Sequence, residues 1–290
     1  LCTDKTGTLT EDKIVLEKYL DIMGNEDLRV LKHAFLNSYF QTGLRSNIDE
    51  AVINRGNENG MEEFSTKYKL IDEIPFDFSR RRLSVIVNDG TKTQLITKGA
   101  VEEILSISTL VDYQGKVSPI TNEIKNNIKS IAKDLNKQGL RVIAVCQKND
   151  LDKSAGFGVS DEKNMVLMGF IGFLDPPKES AKSSIEMLNK NGIRVVVLTG
   201  DNVEVTKCVC DKVGIKSKEI ITGTQLDKLP DIAVKRIIKK TNIFAKLSPI
   251  QKARVVRLLK DSGNIVGYMG DGINDSPSLI NSDVGVSVDT

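Results

Sequence analysis

The sequence predicts an α/β protein built on a parallel sheet, with a second, antiparallel α+β domain inserted into it. From about residue 166 onward, short apolar runs alternate with helical periodicity, which is the pattern of βαβ units. Between about residues 17 and 165 helices and strands do not alternate in this way, because two helices come first and a strand-rich stretch follows. Within that stretch, Asn88-Asp89-Gly90 is typical of the turn of a β-hairpin. We expect residues 1–16 and 166–290 to form one domain and residues 17–165 the other.

The first three residues read as the end of a strand that leads directly into Asp4. Because parallel strands need a crossover connection, the antiparallel segment is expected as an insertion after this strand. The insertion should begin with helices near residues 26–40 and 47–56. Its other expected elements are strands at residues 68–74, 83–87 and 93–97, a helix from about Thr121 to Gly139, and a strand at residues 141–147.

The second half should supply the rest of the parallel sheet. Pro176 and Pro177 are expected to open a helix that Gly192 closes. A later helix has Ser248 as its N-cap and Pro249 at its first position. The apolar runs expected as strands are residues 165–174, 194–199, 219–222, 242–245, 265–269 and 284–288.

Composition excludes several classes of function. The 41 basic and 39 acidic residues leave a net charge of only +2, which argues against a nucleic-acid partner. The longest apolar run, residues 165–174, is much shorter than the roughly 20 residues of a membrane span, and no signal peptide is expected. Four cysteines in a chain of this size predict a reduced protein without disulfide partners. Because the chain contains a single histidine, catalysis centred on histidine is not expected.

Carboxylates follow two of the expected strands. Asp4 opens Asp4-Lys5-Thr6-Gly7-Thr8-Leu9-Thr10, and Asp271 and Asp275 lie in Gly270-Asp271-Gly272-Ile273-Asn274-Asp275. Strand ends of a parallel sheet share one edge, and acidic clusters without histidine suit Mg²⁺ shared with a phosphate. Thr199-Gly200-Asp201 offers a phosphate contact at a third strand end, and Lys252 can neutralise phosphoryl charge. This set predicts an aspartate that attacks a phosphoryl group.

Taken together, the motifs DKTGTLT, TGD and GDGIND and the lysine of Ser248-Pro249-Ile250-Gln251-Lys252 resemble the haloacid-dehalogenase-like phosphorylation domain of P-type ATPases. The resemblance implies that Asp4 is the phosphorylated residue and that Lys5 and Lys252 stabilise the phosphoryl oxygens. The catalytic residues that it implies are Asp4, Lys5, Thr199, Gly200, Asp201, Lys252 and Asn274, and the implied magnesium contacts are Asp4, Thr6, Asp271 and Asp275.

The inserted domain is similar to the nucleotide-binding domain of the same family. By this resemblance Phe76 stacks on adenine, Arg141 reaches the phosphates, and one of Arg80, Arg81 and Arg82 replaces an ATP-contacting lysine. The remaining nucleotide contacts that it implies are Asp49, with Glu50 as the neighbouring candidate, and Lys98 and Gly99 of a Lys-Gly-Ala motif.

The residue type at position 6 distinguishes a pump from a soluble phosphatase by its chemistry. Soluble phosphatases of this superfamily generally carry a second aspartate two residues after the nucleophile as general acid and base, and here that position is Thr6. Losing this partner typically costs about 10²–10⁴-fold in proton-transfer catalysis, so the acyl phosphate should persist. A soluble phosphatase with a large cap domain is therefore disfavoured, and so is a nucleotide-binding module without catalysis.

Residues 75–85 and Tyr268-Met269-Gly270-Asp271 look most like the magnesium-transporting P-type ATPases, with pumps for Ca²⁺ or another cation as the alternative. The resemblance implies a cytoplasmic loop cut from a parent in the plasma membrane, with ATP and Mg²⁺ as cofactors. The transmembrane and actuator domains of that parent are the implied partners. The segment itself should be soluble and monomeric, and it should not complete the pump cycle alone.

Overall fold

The computed structural model describes residues 1–11, 13–43, 45–149, 151, 156–271 and 275–288. In chain order the strands are β1 (Cys2–Thr3), β2 (Val15–Asp21), β3 (Lys69–Asp77), β4 (Arg82–Asn88), β5 (Thr93–Gly99), β6 (Ser108–Tyr113), β7 (Lys116–Pro119), β8 (Arg141–Asn149), β9 (Met165–Leu174), β10 (Val196–Leu198), β11 (Ile220–Thr222), β12 (Ile243–Ala245), β13 (Gly267–Gly270) and β14 (Val284–Ser287). The helices are α1 (Leu28–Phe40), α2 (Asn47–Glu58), α3 (Glu63–Lys67), α4 (Val101–Ile107), α5 (Asn122–Lys137), α6 (Glu179–Lys190), α7 (Val203–Lys212), α8 (Gly223–Asp227), α9 (Asp231–Ile237), α10 (Pro249–Lys260) and α11 (Ser276–Asn281), with a 3₁₀ turn at Val159–Asp161. None of the helices in these ranges is both long and apolar enough to span a bilayer.

The chain folds as two compact units. The first, here called the parallel unit, comprises Leu1–Lys13, Lys137–Gly139 and Asp175–Thr290, and the second, the mixed unit, comprises Ile14–Asn136 and Leu140–Leu174. Apart from Lys137–Gly139, the main chain therefore leaves the parallel unit after Lys13 and returns to it at Asp175, directly after β9.

The parallel unit is centred on β1. Six described strands run parallel in the order β11-β12-β10-β1-β13-β14. Cys2 of β1 pairs with Val196 of β10 on one side and with Tyr268 of β13 on the other. Because the carboxyl ends of parallel strands share one edge, the residues that follow these three strands lie together at that edge.

Both faces of the parallel sheet are covered. Alternate residues of a strand point to opposite faces. Accordingly Val196 packs in one buried cluster with Val255 of α10, whereas Val197 packs in another with Ile185 of α6. Burial on both faces explains why these strands read as continuous apolar runs in the sequence.

The mixed unit contains a larger sheet in the order β3-β4-β5-β8-β9-β6-β7, with β2 also paired to β9. Its neighbours are antiparallel except for β6 and β9, which are parallel. The two faces of the sheet carry separate cores: Ile171 packs on the face of α1 and α2, and Phe170 packs on the face of α4 and α5.

The position of strand β9 differs from the prediction. Residues 165–174 were expected in the parallel sheet, but β9 pairs antiparallel with β2 and β8 in the mixed unit. The borders between the units consequently fall at residues 13/14 and 174/175, not at 16/17 and 165/166. The physical reason is that a central strand buried on both faces gives the same apolar run in either sheet.

The hairpin of β6 and β7 and the helix α4 were not predicted. The hairpin turns through Gln114 and Gly115, which both have positive φ, at 52° and 82°. Such turns normally carry Asn-Gly or Asp-Gly, so a glutamine at the first position hides the signal.

Candidate active site and nucleotide pocket

Asp4 lies directly after β1, in the middle of the parallel sheet, and its side chain is buried. Its backbone N–H donates to the carbonyl of Met269 at 3.0 Å, which ties the residue to β13. Its Oδ1 accepts from the backbone N–H of Lys5 at 2.7 Å, and its Oδ2 accepts from Lys252 Nζ at 2.8 Å. The carboxylate is thus held in one orientation by two donors.

Burial and charge act in opposite directions on Asp4. Burial and the nearby Asp275 carboxylate raise the pKa of Asp4, while Lys252 lowers it, and the result is a pKa of about 6. For Lys252, burial lowers the pKa, but Asp4 and Asp275 outweigh burial and raise it above its usual value. Near neutral pH the pair is therefore a carboxylate hydrogen-bonded to an ammonium.

The helix α10 brings Lys252 to Asp4. Its first turn is fixed by a capping box, in which the Ser248 hydroxyl accepts from the backbone N–H of Gln251, and by Pro249 at the first helical position. Lys252 then donates to Asp4 and also to Asp275 Oδ1, both at 2.8 Å. One ammonium therefore connects the carboxylates that follow β1 and β13.

The Lys5 side chain is paired with two carboxylates other than Asp4. Its buried ammonium lies 3.0 Å from Asp175 Oδ2 and 2.9 Å from Asp201 Oδ2. Asp175 also accepts from the Thr10 hydroxyl at 2.7 Å. The Lys5 ammonium thus stabilises the loop after β1, and Asp175 is a member of this cluster that is not among the predicted site residues.

The remaining predicted residues of this edge occupy neighbouring strand ends. Thr199 and Gly200 follow β10, and the Thr199 hydroxyl accepts from the backbone N–H of Asp201 at 3.2 Å. Asp271 follows β13. Asn274, the last predicted catalytic residue, lies outside the described residues.

The donor set at this edge fits a magnesium ion that is shared with substrate. The predicted contacts, Asp4, Thr6, Asp271 and Asp275, all offer oxygen. Within the described ranges, no three His, Cys, Asp or Glu side chains are arranged to enclose a metal by themselves. Oxygen donors suit Mg²⁺, which completes its coordination shell with water and phosphate oxygens.

The mixed unit contains a cavity of about 910 Å³. That volume is in the usual range for small-molecule and cofactor sites. Its lining includes most of the predicted nucleotide contacts, namely Asp49, Phe76, Arg81, Lys98, Gly99 and Arg141. Glu50 is exposed on α2 and is not among the lining residues.

Lys98 is buried at the wall of this cavity and is paired with Asp49. Its ammonium also donates to the Ser38 hydroxyl at 2.5 Å. Burial raises the pKa of Asp49, but Lys98 and hydrogen bonds from Ser46 outweigh burial and lower it to about 2. Burial lowers the pKa of the Lys98 ammonium, and Asp49 opposes that effect.

The three consecutive arginines have different surroundings. Arg80 and Arg82 both bind the fully buried carboxylate of Glu162, at 2.7 Å each. Arg81 adopts a left-handed conformation with φ of 48°, is largely exposed and lines the cavity. Arg80, which the sequence included among the nucleotide contacts, is therefore held by Glu162, and Arg81 is the arginine that faces the cavity.

Gly99 is required by close packing. A Cβ added to this residue would lie 2.6 Å from the Arg81 carbonyl oxygen and 2.6 Å from Arg82 Cβ. Contacts this short do not occur, so only glycine lets β5 approach the arginine turn. The same carbonyl of Arg81 accepts from the backbone N–H of Ala100 at 3.1 Å.

Two phenylalanines stand at the cavity wall. Phe76 and Phe78 are 52% and 89% exposed and pack edge to face with ring centroids 5.3 Å apart. A largely exposed phenylalanine beside a cavity offers a stacking surface for a planar ligand. The sequence analysis predicted Phe76 as a ligand contact but not Phe78. Because residues two apart at the end of a strand lie on the same face, the spacing of Phe76 and Phe78 would have indicated it.

Comparisons with known proteins agree on one family. Residues 41–180 match the family model described as P-type ATPase, cytoplasmic domain N. The whole chain is 44% identical to "Magnesium-transporting ATPase, P-type 1" of Escherichia coli K12, covering 32% of that protein. Over its whole length the chain is therefore similar to P-type ATPases. It is also 45% identical over its full length to the protein of the same name from Salmonella typhimurium LT2, again covering 32% of it.

A calcium-transporting P-type ATPase is similar as well. The "Calcium-transporting ATPase 1" of Bacillus cereus is 31% identical over 99% of this chain, which covers 34% of that protein. The chain thus spans about a third of the length of the P-type ATPases that it matches. The residues that line the cavity of the mixed unit, among them Phe76, Lys98 and Arg141, all lie within the matched domain-N segment.

Proposed function

We propose that this chain carries out nucleotide binding and phosphorylation in a magnesium-transporting P-type ATPase. In this proposal the parallel unit is a haloacid-dehalogenase-like phosphorylation domain and the mixed unit is the nucleotide-binding domain. The observation that carries it is the Asp4 carboxylate at the central strand end, buried and hydrogen-bonded to Lys252. A carboxylate in that setting is suited to attack phosphorus.

In the proposed reaction an Asp4 oxygen attacks the γ-phosphorus of ATP. A P–O bond to Asp4 forms, the bond between the γ-phosphorus and its bridging oxygen breaks, and ADP leaves with that electron pair. Lys252, which already bonds Asp4 and Asp275, offsets the negative charge that collects on the transferred group. Mg²⁺, when bound, would add positive charge at the phosphate oxygens, and the predicted residues that would hold it are Asp4, Thr6, Asp271 and Asp275.

The acyl phosphate is expected to persist because the general acid and base of the soluble phosphatases is replaced by a threonine. Thr6 occupies the position where the soluble phosphatases carry an aspartate, and its hydroxyl lies 3.5 Å from Asp201 Oδ2. Asp201 in turn is paired with the Lys5 ammonium. A threonine hydroxyl is not acidic enough to replace a carboxylic acid in this role. The relatives likewise favour a pump over a soluble phosphatase.

For the nucleotide, the cavity of the mixed unit supplies an aromatic wall and a cationic wall. Phe76 and Phe78 offer their rings to adenine, while Arg81 and Arg141 are exposed cations for the phosphates. The Lys98 ammonium is already paired with Asp49, so it holds the α2 side of the cavity and presents little free charge. We assign the role of the family's ATP-contacting lysine to Arg81.

Magnesium is the proposed cargo because the identity of 44–45% to proteins named as magnesium transporters exceeds the 31% to the calcium transporter. The proposed parent lies in the plasma membrane with this segment at the cytoplasmic side. Its own transmembrane and actuator domains are the proposed partners, and the segment is proposed to be monomeric. Reconstituted vesicles of the intact protein should move Mg²⁺ with ATP; movement of Ca²⁺ instead would select the alternative cargo.

Phosphorylation itself is tested on the chain. Incubation with Mg²⁺ and γ-labelled ATP, followed by acid quench, should label the wild type and the control variant Asp211→Asn, which changes an exposed aspartate of α7. Asp4→Asn should remain unlabelled because an amide is a poor nucleophile. Equal labelling of Asp4→Asn, or no labelling of the wild type, would overturn the proposal.

A further inference from the structure

Three buried oxygen atoms lie near the hydrogen bond between Lys252 and Asp275 Oδ1 and take no part in it. The Tyr268 hydroxyl, Asp275 Oδ2 and Ser278 Oγ have no hydrogen-bond partner among the described residues, although all three side chains are fully buried. An unpaired buried polar group costs about 1–3 kcal/mol, and more when it carries charge. A cluster of three at one place therefore points to a hydrogen-bond arrangement that these groups make with one another.

Gly270 shows that the Tyr268 ring and the free oxygen of Asp275 face the same point. A Cβ added to Gly270 would lie 2.2 Å from Asp275 Oδ2 and 2.8 Å from Tyr268 Cε1, the ring carbon next to the one that bears the hydroxyl. The glycine therefore leaves the space in which ring and carboxylate meet. A tyrosine hydroxyl carries its proton at neutral pH and is therefore available as a donor.

Asp275 connects this pair to the nucleophile. Its Oδ1 accepts from Lys252 at 2.8 Å, and Lys252 donates to Asp4 Oδ2 at 2.8 Å. The direction in which Asp275 presents Oδ1 depends on what holds Oδ2, because the two oxygens belong to one rigid plane. A donor on Oδ2 would fix that plane and, through it, the position of the Lys252 ammonium.

We propose that Tyr268 is a positioning residue for phosphorylation: its hydroxyl donates to Asp275 Oδ2 and thereby holds Lys252 on Asp4. Ser278, in the first turn of α11, is a second polar neighbour of the same hydroxyl. This inference rests on the proposed function, since it concerns the rate at which Asp4 is phosphorylated. Tyr268 itself does not touch the substrate.

The decisive variant is Tyr268→Phe, which keeps the buried ring and removes only the hydroxyl. Its rate constant for Asp4 labelling at saturating ATP should fall about five- to tenfold, as expected when one buried hydrogen bond is lost. The ATP concentration for half-maximal rate should not change, because the nucleotide cavity belongs to the mixed unit. Tyr113→Phe, which alters a partly exposed hydroxyl of β6, is the matched control and should label like the wild type.

A merely structural role would lower the fraction of chain that can be labelled and leave the rate constant of the labelled fraction unchanged. That result, or a wild-type rate constant, would overturn the proposal. If the wild type is not labelled at all, the proposed function fails and a second measurement still tests the contact. With ¹³Cζ-labelled tyrosine, Asp275→Asn should shift the Tyr268 resonance and Asp211→Asn should not; an unchanged Tyr268 resonance in Asp275→Asn would refute it.

Discussion

Replacing Glu162 with glutamine tests whether one buried carboxylate fixes the arginine turn beside the nucleotide cavity. Its side chain is completely buried and accepts from Arg80 Nη1 at 2.8 and 2.7 Å. It also accepts from Arg82 Nε and the Ser84 hydroxyl, both at 2.7 Å. Glutamine has nearly the same size, but it removes the charge and places an NH₂ donor against these donors.

Removing one partner of a buried ion pair costs about 3–5 kcal/mol, because the other charge is left uncompensated. Arg80 and Arg82 are 17% and 12% exposed, so water can partly solvate them. We therefore expect Glu162→Gln to lower the free energy of unfolding of the mixed unit by about 3 kcal/mol. Folded domains are stable by only about 5–15 kcal/mol, so this is a large fraction.

Because the chain has two units, the loss should be measured in the mixed unit by hydrogen exchange of peptides covering β4 and β5. Amides that exchange by opening of that unit should lose about two orders of magnitude of protection in Glu162→Gln, since about 1.4 kcal/mol corresponds to a factor of ten. The control Glu102→Gln changes an exposed carboxylate in the first turn of α4 and should cost less than about 1 kcal/mol. Protection in Glu162→Gln within about 1 kcal/mol of the wild type would refute the reasoning.

Three further perturbations probe the cavity. Phe78→Ala should weaken ATP binding about tenfold in a calorimetric titration, because a largely exposed ring at the cavity wall is lost as a stacking surface, while the distant surface variant Val117→Ala should bind normally. Gly99→Ala should lower the unfolding free energy of the mixed unit by about 1–3 kcal/mol through overlap with the Arg81 carbonyl, whereas Gly43→Ala, which meets nothing within 4 Å, should not. The pKa of Asp49 is about 2 in the folded chain and 3.8 ordinarily, so the ionised carboxylate stabilises the fold. This stabilisation is complete above about pH 4 and is lost as the pH falls toward 2, and acid unfolding curves should show a loss of about 2 kcal/mol.

Each of these has an outcome that contradicts it. An unchanged ATP affinity in Phe78→Ala would remove that ring from the site. A wild-type unfolding free energy of the mixed unit in Gly99→Ala would mean that β5 can move away from the arginine turn without cost. If Asp49→Asn loses stability between pH 4 and pH 2 as steeply as the wild type, the pairing with Lys98 does not account for the acid sensitivity.

The residues that meet at the parallel sheet edge were predictable because each motif follows a strand end. Asp4 comes directly after β1 and Asp271 directly after β13, and a parallel sheet brings such positions together whatever its details. Lys252 was predictable because its helix begins with an unambiguous cap at Ser248. The resemblance of these motifs to P-type ATPases is confirmed by the comparisons.

Features that depend on distant partners could not be predicted. Which arginine of three faces the cavity is decided by Glu162, about 80 positions away in the chain, and nothing local to the arginines indicates it. The same holds for β9, whose apolar run fits either sheet, and for Lys5, whose partners Asp175 and Asp201 are brought to it only by the folded chain. Local patterns identify strand ends and caps, whereas pairing across the chain requires the structure.

The central claim is that Asp4 accepts the γ-phosphate of ATP, and reductive trapping of the acyl phosphate tests it most directly. After reaction with ATP and Mg²⁺, borohydride reduces an aspartyl phosphate to homoserine, which mass spectrometry locates in the peptide sequence. The account predicts homoserine at position 4, with none when ATP is omitted. An unreduced Asp4 in a chain that carries phosphate on a serine, a threonine or another carboxylate would contradict it.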